Sequence, residues 1–291
     1  MLITLENGNL CFTVDTLGAQ MMSIVKGGTQ YLWQGDPSYW SGRAPTLFPF
    51  IGRLWNKCYS YAGKVWDLDI HGFAKGKEFA VVEQSADCVV LSLSADADTR
   101  KRYPFDFNFE ITYRLIKDTV EITYRVQNLG AETMPFGVGG HPGFNVPLQN
   151  GERFEDYYLE FTTACQPDRI GFTPAVYLSG TDERYPLEDD RIIRLKHALF
   201  EEDAIILKNM CREITLRSRV SGKYIRVSYP DMAYLGLWHM PKTDAPYVCI
   251  EPWSSLPGRQ DVVEEFSCKS DLIHLQPGNT CQNTWTITIG D

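Results

Sequence analysis

An all-β fold, specifically a large antiparallel β-sandwich of two facing sheets, is the class this sequence predicts. Three observations predict it. Apolar residues recur with a period of two along most of the chain, as half-buried strands require. Helical periods are scarce. Aromatic residues make up 13% of the chain, which suits packing on pleated surfaces.

The elements follow in order. Thr4 and Glu6 lead into Asn7-Gly8, a strong hairpin turn signal, and Leu10, Phe12 and Val14 line one face of the next strand. Phe107, Phe109, Ile111, Tyr113 and Leu115 alternate with more polar residues. Lys117-Asp118 turns the chain, and Val120, Ile122, Tyr124 and Val126 alternate again as the second arm of a hairpin. Further strands are expected at Ala19–Lys26, Phe79–Glu83, Val89–Ser94, Tyr157–Thr162, Ala204–Leu207 and Glu213–Arg217. Others are expected at Tyr224–Ser228, Tyr247–Glu251 and Thr284–Ile289. Ile192–Glu202 is expected as a short helix and Val262–Phe266 as a turn of one. Gln166–Leu195 reads as a long irregular loop over a site. No linker or internal repeat divides the chain, so residues 1–291 are expected to form a single domain.

Composition excludes several classes. With 291 residues, 44% hydrophobic, the chain can bury a large core without a disulfide or metal staple. A net charge of −9 supplies no basic footprint for nucleic acid. No apolar run is long enough to span a membrane, and Met1–Asn9 lacks the pattern of a signal peptide. Eight cysteines lie no closer than thirteen residues apart, so none pair at metal-ligand spacing. They read as reduced, buried thiols, and a cytoplasmic location is expected.

Four segments carry candidate chemistry. In Ser41–Leu54, SGRAPTLFPFIGRL, Arg43 and Arg53 bracket an apolar run kinked by Pro45 and Pro49. Guanidiniums on a fixed extended loop suit hydroxyls or an anion, although an arginine is more often paired with a surface carboxylate. In DIHGFAK, His71 precedes a glycine that permits a sharp turn; alone, such a histidine is more often structural. In FGVGGHPGFNVP, His141 is crowded by Gly137, Gly139, Gly140, Pro142 and Gly143. The spacing is that of no phosphate loop. A histidine on rigid backbone suits acid or base work near neutral pH.

In YVCIEPWSS, alternation puts Tyr247, Cys249 and Glu251 on one face and Val248 and Ile250 on the other, with Pro252 expected to end the ladder. A carboxylate in so apolar a strand is either paired in a buried salt bridge or poised as a base. Upstream, Trp238 and His239 in YLGLWHMP offer a sugar-stacking platform, against the commoner fate of an aromatic as core.

The order FPFIGRL, HGFA, GGHPGFN, IEPW resembles the aldose 1-epimerase (galactose mutarotase) family, and most closely its bacterial epimerase-like branch. The resemblance implies a galactose mutarotase-like β-sandwich with an open cleft and no metal or organic cofactor. It also implies interconversion of the α and β anomers of a free aldohexose. Residue by residue, Glu251 matches the general base and His141 the general acid. Substrate binding falls to Arg53 and His71, with Trp238 and Arg43 as further candidates. The family's substrate-holding aspartate has no evident counterpart in YLGLWHMP.

The implied partner is a small-molecule sugar, with neither nucleic acid nor membrane, for a monomer or homodimer. The alternatives are a non-catalytic carbohydrate-binding β-sandwich and a mutarotase acting on hexose 6-phosphates. A glycoside hydrolase ranks lower because it needs a second carboxylate facing Glu251.

Overall fold

Period-two alternation becomes sheet almost everywhere in the computed structural model, which describes residues 1–291. The only helices are short 3-10 turns such as Trp55–Lys57 and His197–Phe200. The larger sheet has nine antiparallel strands. Its centre is the predicted hairpin, Phe107–Ile116 and Thr119–Asn128, in the register Phe107↔Asn128, with the C-terminal strand Thr280–Gly290 beside it. The second sheet has eight strands. Across it run Asp168–Arg169, Ile205–Lys208, Tyr234–Trp238, Tyr247–Trp253, Gly139–Gly140 and Thr46–Leu47. A four-stranded sheet from residues 2–30 begins with the Asn7-Gly8 hairpin.

The two large sheets face each other across one contiguous core of 65 buried residues. Phe48, just after the edge strand of the smaller sheet, stacks on Phe109 of the larger at 4.5 Å. A side chain at Gly140 would put its Cβ 2.6 Å from the Trp285 ring, so the backbone before His141 can lie against the opposing sheet only as glycine. Each large apolar side chain so buried contributes about 1.5–3 kcal/mol.

Three expectations about local structure change. Ile192–Arg194 is a strand paired with Tyr157–Phe161 rather than the start of a helix; only His197–Phe200 turns, as 3-10. Two β-branched isoleucines fit that sheet edge better than a helix. Glu264–Glu265 is a short strand parallel to Tyr59-Ser60, and Arg259 holds the Glu264 carboxylate through two bonds of 2.9 Å. Pro252 does not end its ladder: Leu235↔Pro252 and Tyr234↔Trp253 stay in register. Neighbouring amides explain this. Ile250 N–H and Ser254 N–H donate to Pro142 and Val138. The donor that proline lacks therefore falls on the irregular 138–142 side and leaves the other ladder whole.

The cysteines are all unpaired thiols. Cys58, Cys88 and Cys249 are buried as expected, whereas Cys268 is exposed. No helix is long and apolar enough to cross a membrane.

Candidate active site

The middle of the eight-stranded sheet carries the site. Ile206, Gly236 and Glu251 stand side by side in register on three adjacent strands, and Trp238 stands beside Cys249. Side chains directly opposite in an antiparallel pair share a face, and so do residues two apart. Cys249, Glu251 and Trp253 therefore share one face with Ile206 and Trp238, while Val248 and Ile250 point into the core between the sheets. Gly236 leaves room beside the carboxylate, because a Cβ there would lie 3.2 Å from the Glu251 Cβ.

Above this face lies a cleft of about 660 Å³. Glu251, His141, His71, Arg53 and Trp238 all line it. Each arrives from a different element. His141 sits between the two-residue strand Gly139–Gly140, which pairs with Thr46–Leu47, and Gly143–Asn145, which pairs with Tyr247–Cys249. Its Nε2 stands 3.3 Å from Glu251 Oε2, and the two side chains are only 11% and 2% exposed. His141 Nδ1, Glu251 Oε2 and the Trp253 indole N–H have no well-aligned hydrogen-bond partner within the protein. Buried polar groups left so are rare, and here they border a cleft that can receive a polar ligand.

His71 is placed by a backbone clamp. Its φ is +63°, and Gly72 follows at +70°. A Cβ on Gly72 would lie 2.2 Å from the Phe48 carbonyl oxygen, so only glycine permits this approach. His71 N–H donates to Gly52 O at 3.0 Å, and Gly52 N–H donates back to His71 Nδ1 at 3.1 Å. The same clamp seats Arg53, the next residue. An imidazole whose Nδ1 accepts must carry its proton on Nε2 when neutral. Burial holds His71 well below its usual range, with the charges of His141, Lys75 and Arg53 adding to the effect, so that neutral form prevails.

Burial also sets the proton count of the central pair. It lowers His141 to about 4 and pushes the Glu251 carboxyl well above the usual carboxylate range, with the Asp203 charge adding a further push. These opposite shifts favour a protonated carboxyl beside a neutral imidazole over the ion pair. Neutral Glu–His and ionic carboxylate–imidazolium are two placements of that same proton. Transfer across a 3.3 Å gap converts one into the other.

Aromatic rings wall the cleft. Trp40 lies 5.0 Å from the His141 ring, Trp238 lies 5.7 Å from it, and Trp40 and Trp238 meet edge to face at 5.4 Å. Phe172 and Val176 close the rim; the rest of the expected 166–195 loop does not line the cleft, and Asp168–Arg169, Glu183–Arg184 and Ile192–Arg194 within it are short strands.

Other expected residues lie elsewhere. Arg43 does not line the cleft; its Nη1 donates to Met22 O at 3.0 Å and Gln34 Oε1 at 3.1 Å, which ties its loop to the first sheet. His239 is buried away from the cleft, 3.2 Å from His197 and 2.8 Å from the Met240 carbonyl, so the stacking platform lacks it.

Sequence reasoning missed Trp40, Trp253, Phe172 and Asp203. Lys75 lines the cleft, donates to Ile70 O at 2.7 Å, and has its pKa lowered by burial. Asp203 precedes the strand Ile205–Lys208 and enters the cleft at φ +136°, a strained conformation for an L-residue. Its Oδ1 accepts from Ala204 N–H, and no cation pairs with it. Its signal in the sequence is an acid just ahead of an apolar strand, outside the YLGLWHMP segment to which the resemblance points. For metals, His141, Cys249 and Glu251 bring donor atoms within 4.8 Å of one another, close enough to hold an ion.

A buried histidine–carboxylate pair beneath an aromatic-walled cleft on a large antiparallel β-sandwich defines the galactose mutarotase-like class of protein. A family profile described as aldose 1-epimerase matches residues 1–285. The chain belongs to the aldose 1-epimerase family. It is similar to the protein LacX, chromosomal, of Lactococcus lactis, with 36% identity over 99% of both chains. Among solved structures it resembles a galactose mutarotase related enzyme from Lactobacillus acidophilus, at 34% identity and a TM-score of 0.95 over 100% of this chain and 98% of that one. A galactose mutarotase-like protein from Lactobacillus casei superimposes with a TM-score of 0.93 at 29% identity over the whole of both chains.

Proposed function

We propose that the protein is an aldose 1-epimerase that interconverts the α and β anomers of an aldohexose by opening and closing the pyranose ring. The observation that carries the reading is the buried pair, His141 Nε2 3.3 Å from Glu251 Oε2, bordering a cleft walled by tryptophans.

Mutarotation needs one proton taken from the anomeric hydroxyl and one delivered to the ring oxygen. In the carboxylate–imidazolium placement, Glu251 takes the first and His141 gives the second. The C1–O5 bond breaks, the aldehyde forms, and rotation about C1–C2 presents the other face. On closure the protons return by the reverse route. The pair ends with the same single proton, so no net proton is consumed. Each positioned transfer contributes about 10²–10⁴-fold.

His71, fixed as an Nε2–H donor, and Arg53 hold hydroxyls, and Trp40 and Trp238 cover the C–H face of the ring. Asp203 supplies the carboxylate acceptor for hydroxyls that YLGLWHMP does not contain. A merely sugar-binding sandwich has no use for an acid–base pair kept at one proton.

A second reading, that the aldose carries a phosphate, is favoured by one observation: Arg53 and Lys75 line the cleft with no carboxylate partner within 4.0 Å. The test of the main reading is polarimetry on freshly dissolved α-anomers, backed by NMR exchange at C1. Equilibration no faster than in buffer, over a panel of free and 6-phosphorylated aldoses, would sink it.

A further inference from the structure

The face that presents Glu251 also presents Cys249, two residues earlier on the same strand. Donor atoms of His141, Cys249 and Glu251 lie within 4.8 Å of one another, and Cys249 and Glu251 are buried. The mutarotase chemistry uses the histidine and the carboxylate and leaves the thiol without a role.

Bond lengths say what fits among the three. Zinc binds imidazole nitrogen at about 2.0–2.1 Å and carboxylate oxygen at about 2.0–2.2 Å, so two such ligands at a tetrahedral angle stand about 3.3–3.5 Å apart. His141 Nε2 and Glu251 Oε2 stand 3.3 Å apart. Glu251 Oε2 has no well-aligned hydrogen-bond partner, on a residue 1% exposed, so its lone pairs are free for a ligand. A thiolate about 2.3 Å from the same ion would lie about 3.6 Å from the other two donors, which Cys249 Sγ reaches by closing at most about 1 Å.

The donor set selects the ion. Thiolate and imidazole suit zinc and similar borderline ions, whereas magnesium and calcium take six or more ligands that are mostly or wholly oxygen. As zinc binds, the thiol and carboxyl protons leave to solvent, and thiolate and carboxylate balance its two charges. Arg53 and Lys75 line the same cleft and oppose a further cation, with Asp203 in partial compensation. Structural zinc sites close with four protein ligands, and a ligating histidine normally donates its other nitrogen to an acceptor. Here three side chains converge, and His141 Nδ1 lacks such an acceptor. Those features describe a reversible occupant rather than a resident cofactor.

We propose that His141, Cys249 and Glu251 form a zinc site whose occupation shuts the catalytic cleft down. The ion takes the lone pairs between which the proton moves, so neither acid nor base is left while it is bound. The inhibition rests on the mutarotase reading; the binding does not.

The experiment uses the whole chain after dialysis against EDTA. Zinc is titrated by calorimetry into wild type, Cys249→Ala and Cys249→Ser, and cobalt(II) replaces zinc for absorption spectra. The cobalt form of the wild type should show a thiolate-to-metal charge-transfer band. Both variants should lose that band and bind zinc at least about 100-fold more weakly, since losing even an outer-shell partner costs about 10–100-fold. Cys268 is exposed and offers a competing surface ligand, so Cys268→Ser should leave both readouts as in wild type. With zinc at about ten times its Kd, polarimetry should show mutarotation slowed about tenfold, the share of sites left empty. EDTA should restore the rate, magnesium should not change it, and Cys249→Ala should keep its zinc-free rate when zinc is added. No zinc binding, a cobalt spectrum without thiolate, or equal binding in wild type and both variants would overturn the site. Zinc held through Cys249 in a chain that turns over no sugar would uphold the site and count against the mutarotase reading alone. If neither Cys249 variant folds, zinc-edge X-ray absorption on wild type decides. One sulfur ligand, with binding weakened in Glu251→Gln, upholds the site; no sulfur, or unchanged binding in Glu251→Gln, overturns it.

Discussion

Glu251 is where stability and activity pull against each other. Its carboxyl is buried, so its pKa in the folded protein lies above the unfolded value. A raised acid favours the folded state only while protonated; as pH climbs past the unfolded pKa of about 4.5, the ionising unfolded chain gains. Glu251→Gln removes that penalty. We expect the variant to lose mutarotation by about 100-fold or more. We also expect its melting temperature to exceed that of the wild type by more at pH 7.5 than at pH 4.5. Near-normal turnover in a folded variant would remove Glu251 from the base role, and a pH-independent melting difference would remove the burial argument.

His141 shifts the other way. With its folded pKa near 4, the pair gains a second proton only in quite acid solution. Catalytic efficiency should therefore hold on a plateau through pH 6.5, where an ordinary histidine titrates, and fall only towards pH 4. A clear inflection at 6.5 in the pH–rate profile would contradict this. His141→Asn should be as crippled as Glu251→Gln. His71→Asn should raise KM as well as slow turnover, because His71 donates from Nε2 rather than holding the mobile proton. A larger fall in saturated turnover for the His71 variant would exchange the two roles.

The strand Tyr247–Trp253 shows what the sequence could and could not reveal at the scale of an element. Alternation alone predicted which residues face together, because a period of two fixes the face. Hairpins 2–15 and 107–128 were legible for the same reason, each with its turn residues in place. What the sequence hid came from elements meeting without local signal. Trp40, Phe172 and Asp203 lie on loops, and nothing in their own segments says which strand they will cover. Arg43 was misplaced because a loop arginine reads the same whether it faces a ligand or a neighbouring carbonyl. Pro252 misled because proline interrupts only the ladder on its amide side.

The HGFA turn tests this reasoning. Gly72→Ala forces a Cβ towards the Phe48 carbonyl at a positive φ. It should cost about 1–3 kcal/mol in urea denaturation, and activity should fall as His71 loses its clamp. A variant as stable and as active as wild type would show that the turn can relax.

At the scale of the whole molecule, charge and cleft oppose each other. The net charge of −9 repels anions at a distance. Within the cleft, Arg53 and Lys75 stand without carboxylate partners, and burial lowers the Lys75 pKa, as it would for an ammonium with too little water or counter-charge. The distant field is screened beyond about 8 Å at physiological salt, so contact with these two cations decides whether an anionic sugar is accepted. Against it stand Asp203 in the same cleft and the acidic wall beyond it. A phosphate gripping Lys75 would also have to compete with the Ile70 carbonyl, to which the ammonium already donates at 2.7 Å. The balance favours neutral sugars, with Arg53 bonding ring hydroxyls. The ratio of catalytic efficiency for glucose 6-phosphate over glucose should therefore be at or below one and should rise modestly with added salt, as repulsion is screened. A ratio well above one that falls steeply with salt would make Arg53 and Lys75 a phosphate clamp. Loss of that excess in Lys75→Met, with glucose turnover unchanged, would place the clamp at this lysine.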